Sequence, residues 1–233
     1  MSIFPIYDLV RRVAGPDADV TLLLPPGRSS TGFVPTAEDR EDVAAARVVI
    51  WVGLGLDPWM EDLVQARNAS GTGRAKLLRV GDRVPTLATT GKPYVDPGPV
   101  GDTPGPPGAG GIAMVDPHVW LDPQRAAVMT KAIGEELARA DSAHAAAYRR
   151  RADEVSDALD VLDRDLEART RPWQASVQAP PGFVYFADRY HLKVVPAGAA
   201  SAPPIDTLGG GPGIDSYEKL IQHDAAELGK AVR

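Results

Sequence analysis

Hydrophobic positions recur along this chain in two rhythms that alternate. Between residues 6 and 14, "IYDLVRRVA", apolar side chains return every three to four positions and the run stops at Gly15. That spacing predicts an amphipathic helix ended by a glycine. The next segment, "VTLLLPPG" (20–27), is a short continuous apolar run closed by Pro-Pro-Gly and predicts a buried strand. Thr36 then stands as an N-cap before a helix over 35–46, whose first turn carries acids that suit the positive end of the helix dipole. "RVVIWVG" (47–53) predicts a second strand, and "LDPWMEDLVQARNA" (56–69) a helix with Asp57 as cap and Pro58 in its first turn. "AKLLRVGD" (75–82) predicts a third strand. Strand and helix alternating at this spacing imply an α/β fold with a parallel-type sheet flanked by helices.

The rhythm breaks at 91–111, where glycine and proline dominate and no packed core is possible. This stretch reads either as a linker or as a loop overhanging a site. Helical periodicity resumes after Asp122, an N-cap followed by Pro123. A second helix is expected from near Ser142 to about Arg169, roughly 40 Å at 1.5 Å per residue. Its heptads are too polar for a coiled coil, so it is expected to bridge two lobes. Its acids and arginines, over 153–167, read as an exposed face with i,i+4 pairs. Beyond Pro172 the pattern is short: a helix and strand within 182–195, a loop over 197–213, and an amphipathic helix over 214–232.

Composition narrows the function classes. The chain has 233 residues, 44% of them hydrophobic, enough for a sizeable core. Lys and Arg total 25 against 31 acids, a net charge of -6 without a basic stripe, which argues against nucleic acid as a partner. With no cysteine, thiolate metal sites, disulfides and a cysteine nucleophile are excluded. No run reaches the roughly 20 apolar residues of a membrane span. The first residues, "MSIFPIYDL", lack a signal-peptide layout, so the protein either stays inside the cell or begins after a removed export segment. No Gly-x-Ser-x-Gly elbow, P-loop or HExxH occurs, and "GLGLDP" lacks dinucleotide-fingerprint spacing; an enzyme is not expected.

The most informative stretch is "MVDPHVWLDP" (114–123). Asp116 and Pro117 stiffen a loop that aims His118 toward a cleft, Trp120 is expected to pack against the lobe interface, and Asp122 caps the helix that follows. Together with "IFPIYDLVRRVAG", "VTLLLPPG", "VVIWVGLGLDPWMEDL", "YFADRYHLKVV" and "IDTLGGGPGIDSYEKLIQHDAAEL", all in sequence order, this motif resembles the zinc/manganese solute-binding proteins of ABC importers. The resemblance runs across nearly the whole chain.

It implies two α/β lobes joined by one long helix: residues 1–121, linker helices over 122–171, and a C-terminal lobe over 172–233. That second lobe is abbreviated, because only "PAGAASAPP" separates "LKVV" from "IDTLG" where the family carries a further helix and strand. It also implies a metal held by four side chains between the lobes. His118 matches the second of these and Asp206 the fourth. Thr31, in "STGFVPT", stands where the family has its first histidine, and a proline near 180 where it has its third donor. Asp188 and His191 are candidate substitutes, His191 falling where the family usually has glycine.

The implied function is the substrate-binding component of a zinc or manganese ABC transporter, with an incomplete metal site. It would act outside the cytoplasm beside a permease, with peripheral membrane association through a removed or absent anchor. The alternative is a metal-free structural or accessory protein that keeps the fold. The other reading of His118 is a hydrogen-bonded, unligated side chain, and of Asp206 a turn residue before a Gly-rich loop. Trp51, Trp59 and Trp173 read as packing residues, and His144 and His223 as solvated.

Overall fold

A computed structural model describes residues 1–71, 75–87, 115–173, 177–180, 182–196 and 205–232. Helix α1 (Phe4–Ala14) ends at Gly15, whose left-handed φ of 57° closes it as its N–H donates to Arg11. Helix α2 (Ala37–Ala45) opens with a reciprocal capping box between Thr36 and Asp39. Strand β1 (Val48–Trp51), helix α3 (Pro58–Ala69) and strand β2 (Lys76–Arg79) form one strand-helix-strand unit, with β1 and β2 paired in parallel from Val48↔Lys76 to Trp51↔Arg79. Parallel neighbours need a crossover, and α3 supplies it.

A second unit of the same kind follows later. Strand β3 (Val177–Ala179) and strand β4 (Val194–Pro196) pair in parallel around helix α6 (Val184–Arg189). Between the two units lie helices α4 (Pro123–Ala140) and α5 (Ala145–Thr170). Helix α7 (Tyr217–Lys230), capped by Ser216, closes the chain. The molecule is thus α/β, helix-rich, with small parallel sheets.

Helices α4 and α5 run antiparallel. Gln124, at the start of α4, donates to Asp160 and Asp163 far along α5, whereas Glu135 pairs with Arg149 near the start of α5. Their axes approach closely at Gly134, where a Cβ would come within 2.6 Å of the Ala152 Cβ. At its other face α5 meets α1, and Arg151 donates to the carbonyls of Val13 and Ala14. Helix α7 docks on α1 through Asp8, which accepts the Tyr217 N–H, and through the Arg12–Glu218 pair.

Several expectations need correction. Residues 20–27 form no strand; Leu23 and Leu24 donate to the carbonyls of Met1 and Ser2, but the two proline residues that follow end the pairing. Asp57 occupies the N-cap position of α3, yet its side chain caps nothing there. It turns back to accept Val52 N–H and Gly53 N–H, both at 2.9 Å. The face of α5 is not uniformly solvated: Asp163 is 3% exposed and accepts Arg189, Tyr190 and Gln124. Strand β3 was unforeseen. The Gly/Pro-rich stretch over 91–111 lies outside the described residues.

Candidate metal-binding site

The loop around His118 is braced from four directions. Asp116 Oδ1 accepts the His118 backbone N–H at 2.9 Å and lies 2.8 Å from ring Nδ1. Asp116 itself is pinned through its backbone: its N–H donates to Leu87, and its carbonyl accepts the Tyr185 hydroxyl at 2.7 Å. That hydroxyl also accepts the Leu87 N–H, so one phenol from α6 bridges two strands of loop. The Arg125 guanidinium lies 4.8 Å from the Tyr185 ring centre while its Nε donates to the Pro85 carbonyl. Arg125 also pairs with Asp122, whose carboxylate caps α4 at the N–H groups of Gln124 and Arg125. Burial, the larger influence, still leaves the Asp122 carboxyl above its ordinary pKa.

The imidazole of His118 is 2% exposed and sits in a slot. The Trp120 ring flanks it at 5.0 Å between centres, and a Cβ on Gly182 would come within 2.8 Å of ring atoms. With a carboxylate on Nδ1, the proton of the neutral ring belongs there and Nε2 carries the lone pair, the tautomer that a carboxylate-supported metal ligand uses.

Asp206 lies in a turn before α7. Its Oδ1 accepts the N–H groups of Leu208 and Gly209 at 3.1 and 2.9 Å. Its own N–H donates to Asp224 Oδ1 at 3.2 Å. Trp120 links this turn to the His118 loop: the Trp120 Nε1–H donates to the Thr207 carbonyl at 2.8 Å, while its ring faces the imidazole. Tyr217 in α7 in turn donates to the Trp120 carbonyl. One indole therefore touches both loops that carry candidate ligands. Asp224 is buried within α7, its Oδ2 without a hydrogen-bond partner among the described residues. Burial, aided by the nearby Asp206 charge, pushes its carboxyl pKa well up.

The other positions are less favourable to a metal. Thr31 is half-buried and its N–H bonds within its own loop to Ser29. In the third-donor loop, Gly182 brings its backbone up against the His118 ring. Asp188 is exposed and lies 3.7 Å from Arg125. His191 is exposed, with a left-handed φ of 54° at the end of α6, a conformation that glycine adopts without strain. Among the described residues no group of three or more His, Asp or Glu side chains is assembled for a metal ion. His144 pairs with Asp141 at the surface, which raises its pKa. His223 lines a cavity of about 600 Å³ between α5 and α7 that contains none of these residues. Trp51 and Trp59 are core residues, and Trp173 packs against Gly229.

Sequence reasoning missed Tyr185, Gly182 and Asp224. The Asp116-x-His118 spacing was a signal for the carboxylate on Nδ1. Nothing local marks Tyr185 or Asp224, whose partners lie 69 and 18 residues away.

Residues 1–209 match the model of a family described as zinc-uptake complex component A, periplasmic. Among curated proteins, the chain is 28% identical over 164 residues to a putative metal-binding protein of Treponema pallidum, covering 70% of this chain and 49% of that protein. It is 27% identical over 194 residues to the iron-binding protein YfeA of Yersinia pestis, covering 82% and 55%. The chain thus spans about half the length of these relatives. Among solved structures, the periplasmic zinc binding protein TroA from Treponema pallidum superposes with a TM-score of 0.77 at 18% identity, covering 99% of this chain and 97% of that one.

Proposed function

The chain belongs to the family of zinc-uptake complex component A, periplasmic, and from that premise we propose that it is the substrate-binding component of a zinc or manganese ABC importer. The observation that carries this reading is His118: buried, with Nδ1 held by Asp116, so that Nε2 is the donor atom. Asp206 supplies the second donor through its carboxylate, from across Trp120, with Oδ1 also holding the turn. The metal is cargo, so the site must release it. Two protein donors with water completing the shell favour release over tight capture, since tight zinc sites use about four ligands. The site is on this reading incomplete.

The rest follows from family membership. The protein binds and delivers a divalent ion to a permease and catalyses no reaction. It works on the periplasmic or cell-surface side; among the described residues no helix is long and apolar enough to cross a membrane. Residues 1–121 and 172–233 act as two lobes joined by linker helices over 122–171. Asp163 of α5 ties α4 to α6 and so limits the lobes to small tilts.

The test is a zinc titration against a chromophoric chelator, on wild type and His118→Ala. Wild type is expected to bind in about the micromolar range or weaker, an estimate from ligand number, and His118→Ala to lose that binding. Nanomolar binding would reveal donors beyond His118 and Asp206. Equal, weak binding by both proteins would favour the second reading, a metal-free accessory protein. Gly182 filling the side of the slot where a third donor is expected is the observation on that side.

A further inference from the structure

The Asp206 turn is anchored at three points. Trp120 holds the Thr207 carbonyl, the Phe4 ring lies against Gly209 and Gly210, and Asp224 accepts the N–H of Asp206 itself. The first two act on residues that follow Asp206, whereas the Asp224 contact is made to the backbone of Asp206 itself. Asp224 is 1% exposed, and its second oxygen is buried with no donor among the described residues. For stability alone this is a poor choice: a buried carboxyl with one oxygen unsatisfied costs more than a well-packed apolar side chain would. Helix α7 is also docked by the Tyr217 N–H on Asp8, by the Arg12–Glu218 pair and by the buried face of Tyr217, Leu220 and Ile221.

We propose that Asp224 is a positioning residue for metal binding: by accepting the Asp206 N–H it sets where the Asp206 carboxylate stands relative to His118. The proposal rests on Asp206 being a ligand. Asp224 need not touch the ion. Outer partners that orient a ligand commonly change metal affinity by about 10- to 100-fold. The required chemistry is an acceptor oxygen at Oδ1, which asparagine also offers and leucine does not.

The experiment compares wild type, Asp224→Leu and Asp224→Asn, with Asp224→Ala replacing the leucine variant if that one does not fold by circular dichroism. Zinc affinity is read by chelator competition, and ligand geometry by the visible absorption of the cobalt(II) protein. The leucine variant is expected to bind zinc about tenfold more weakly and to change the cobalt spectrum, while asparagine restores both. Wild-type affinity and spectrum in the leucine variant would overturn the proposal, leaving Asp224 a packing residue. Asparagine failing like leucine would overturn it too, because the charge and not the acceptor would then matter. Amide hydrogen exchange without metal provides a separate arm. Exchange at Asp206 should quicken about tenfold in the leucine variant and stay slow with asparagine. If wild type binds no zinc or cobalt, the transport reading fails, and unchanged exchange at Asp206 still sinks the positioning role on its own.

Discussion

Two loops of this protein use the same device to different ends. In each, a buried aspartate just before a helix or helical turn accepts backbone N–H from its own loop. Asp57 gives both oxygens to backbone amides, those of Val52 and Gly53, and so seals a turn whose Gly53, Leu54 and Gly55 all have positive φ. Asp116 gives one oxygen to a backbone amide and to an imidazole, both of His118. The first carboxylate is used up in holding its loop. The second also reaches the ring of the candidate ligand His118. What separates the two aspartates is the second partner, and the bracing around it. Asp57 takes its two amides from its own loop, whereas the backbone of Asp116 is held by Leu87 and Tyr185 from elsewhere in the fold.

Substitutions should pull the two apart. The largest loss of stability is expected from Asp57→Ala, which strands two buried amides: roughly 4 kcal/mol, about 2 for each. Urea unfolding measures it, and zinc affinity of the folded fraction should stay at the wild-type value. A shift in affinity would show that the two loops are coupled.

The same residue predicts a pH dependence. Burial pushes the Asp57 carboxyl from an ordinary 3.8 to about 6. The folded state therefore holds this proton more tightly than the unfolded one. Its stabilising effect is full below pH 4 and is lost as pH rises through 6, a decline of about 3 kcal/mol at about 1.4 per pKa unit. The stability of wild type relative to Asp57→Asn, from urea midpoints between pH 4 and 7, should fall as pH rises; a difference that stays constant or grows would refute the assignment.

Asp116→Ala should cost less stability, about 2 kcal/mol for the buried His118 amide left without its acceptor. It should however weaken zinc binding by about 10- to 100-fold by freeing the ring. Loss of stability with no change in affinity would place Asp116 in the same class as Asp57. The smallest effect is expected for Tyr185→Phe, about 1 kcal/mol for the bridge between Leu87 and Asp116. Its zinc affinity should fall between those of wild type and Asp116→Ala; a loss larger than that of Asp116→Ala would mean that Tyr185 acts on the site by another route.

Sequence alone determined what near neighbours decide. Thr36 and Asp122 cap their helices, and Gly15 ends α1, because a cap answers amides or carbonyls within a few residues of itself. The apolar runs at β1 and β2 and the helices between and after them follow from periodicity, which records one buried face. His118 was marked as a candidate by its stiff Asp-Pro context. Strand β3, three residues long, carries too few positions for a period to register. Only the tertiary structure decided that Asp163 is buried under Arg189 and Tyr190, that Tyr185 holds Asp116, and that Asp224 holds Asp206. It also decided that Gly182 fills one side of the His118 slot. An acidic side chain looks the same in sequence whether solvated or buried, since the donors that make its burial tolerable arrive from elsewhere in the chain.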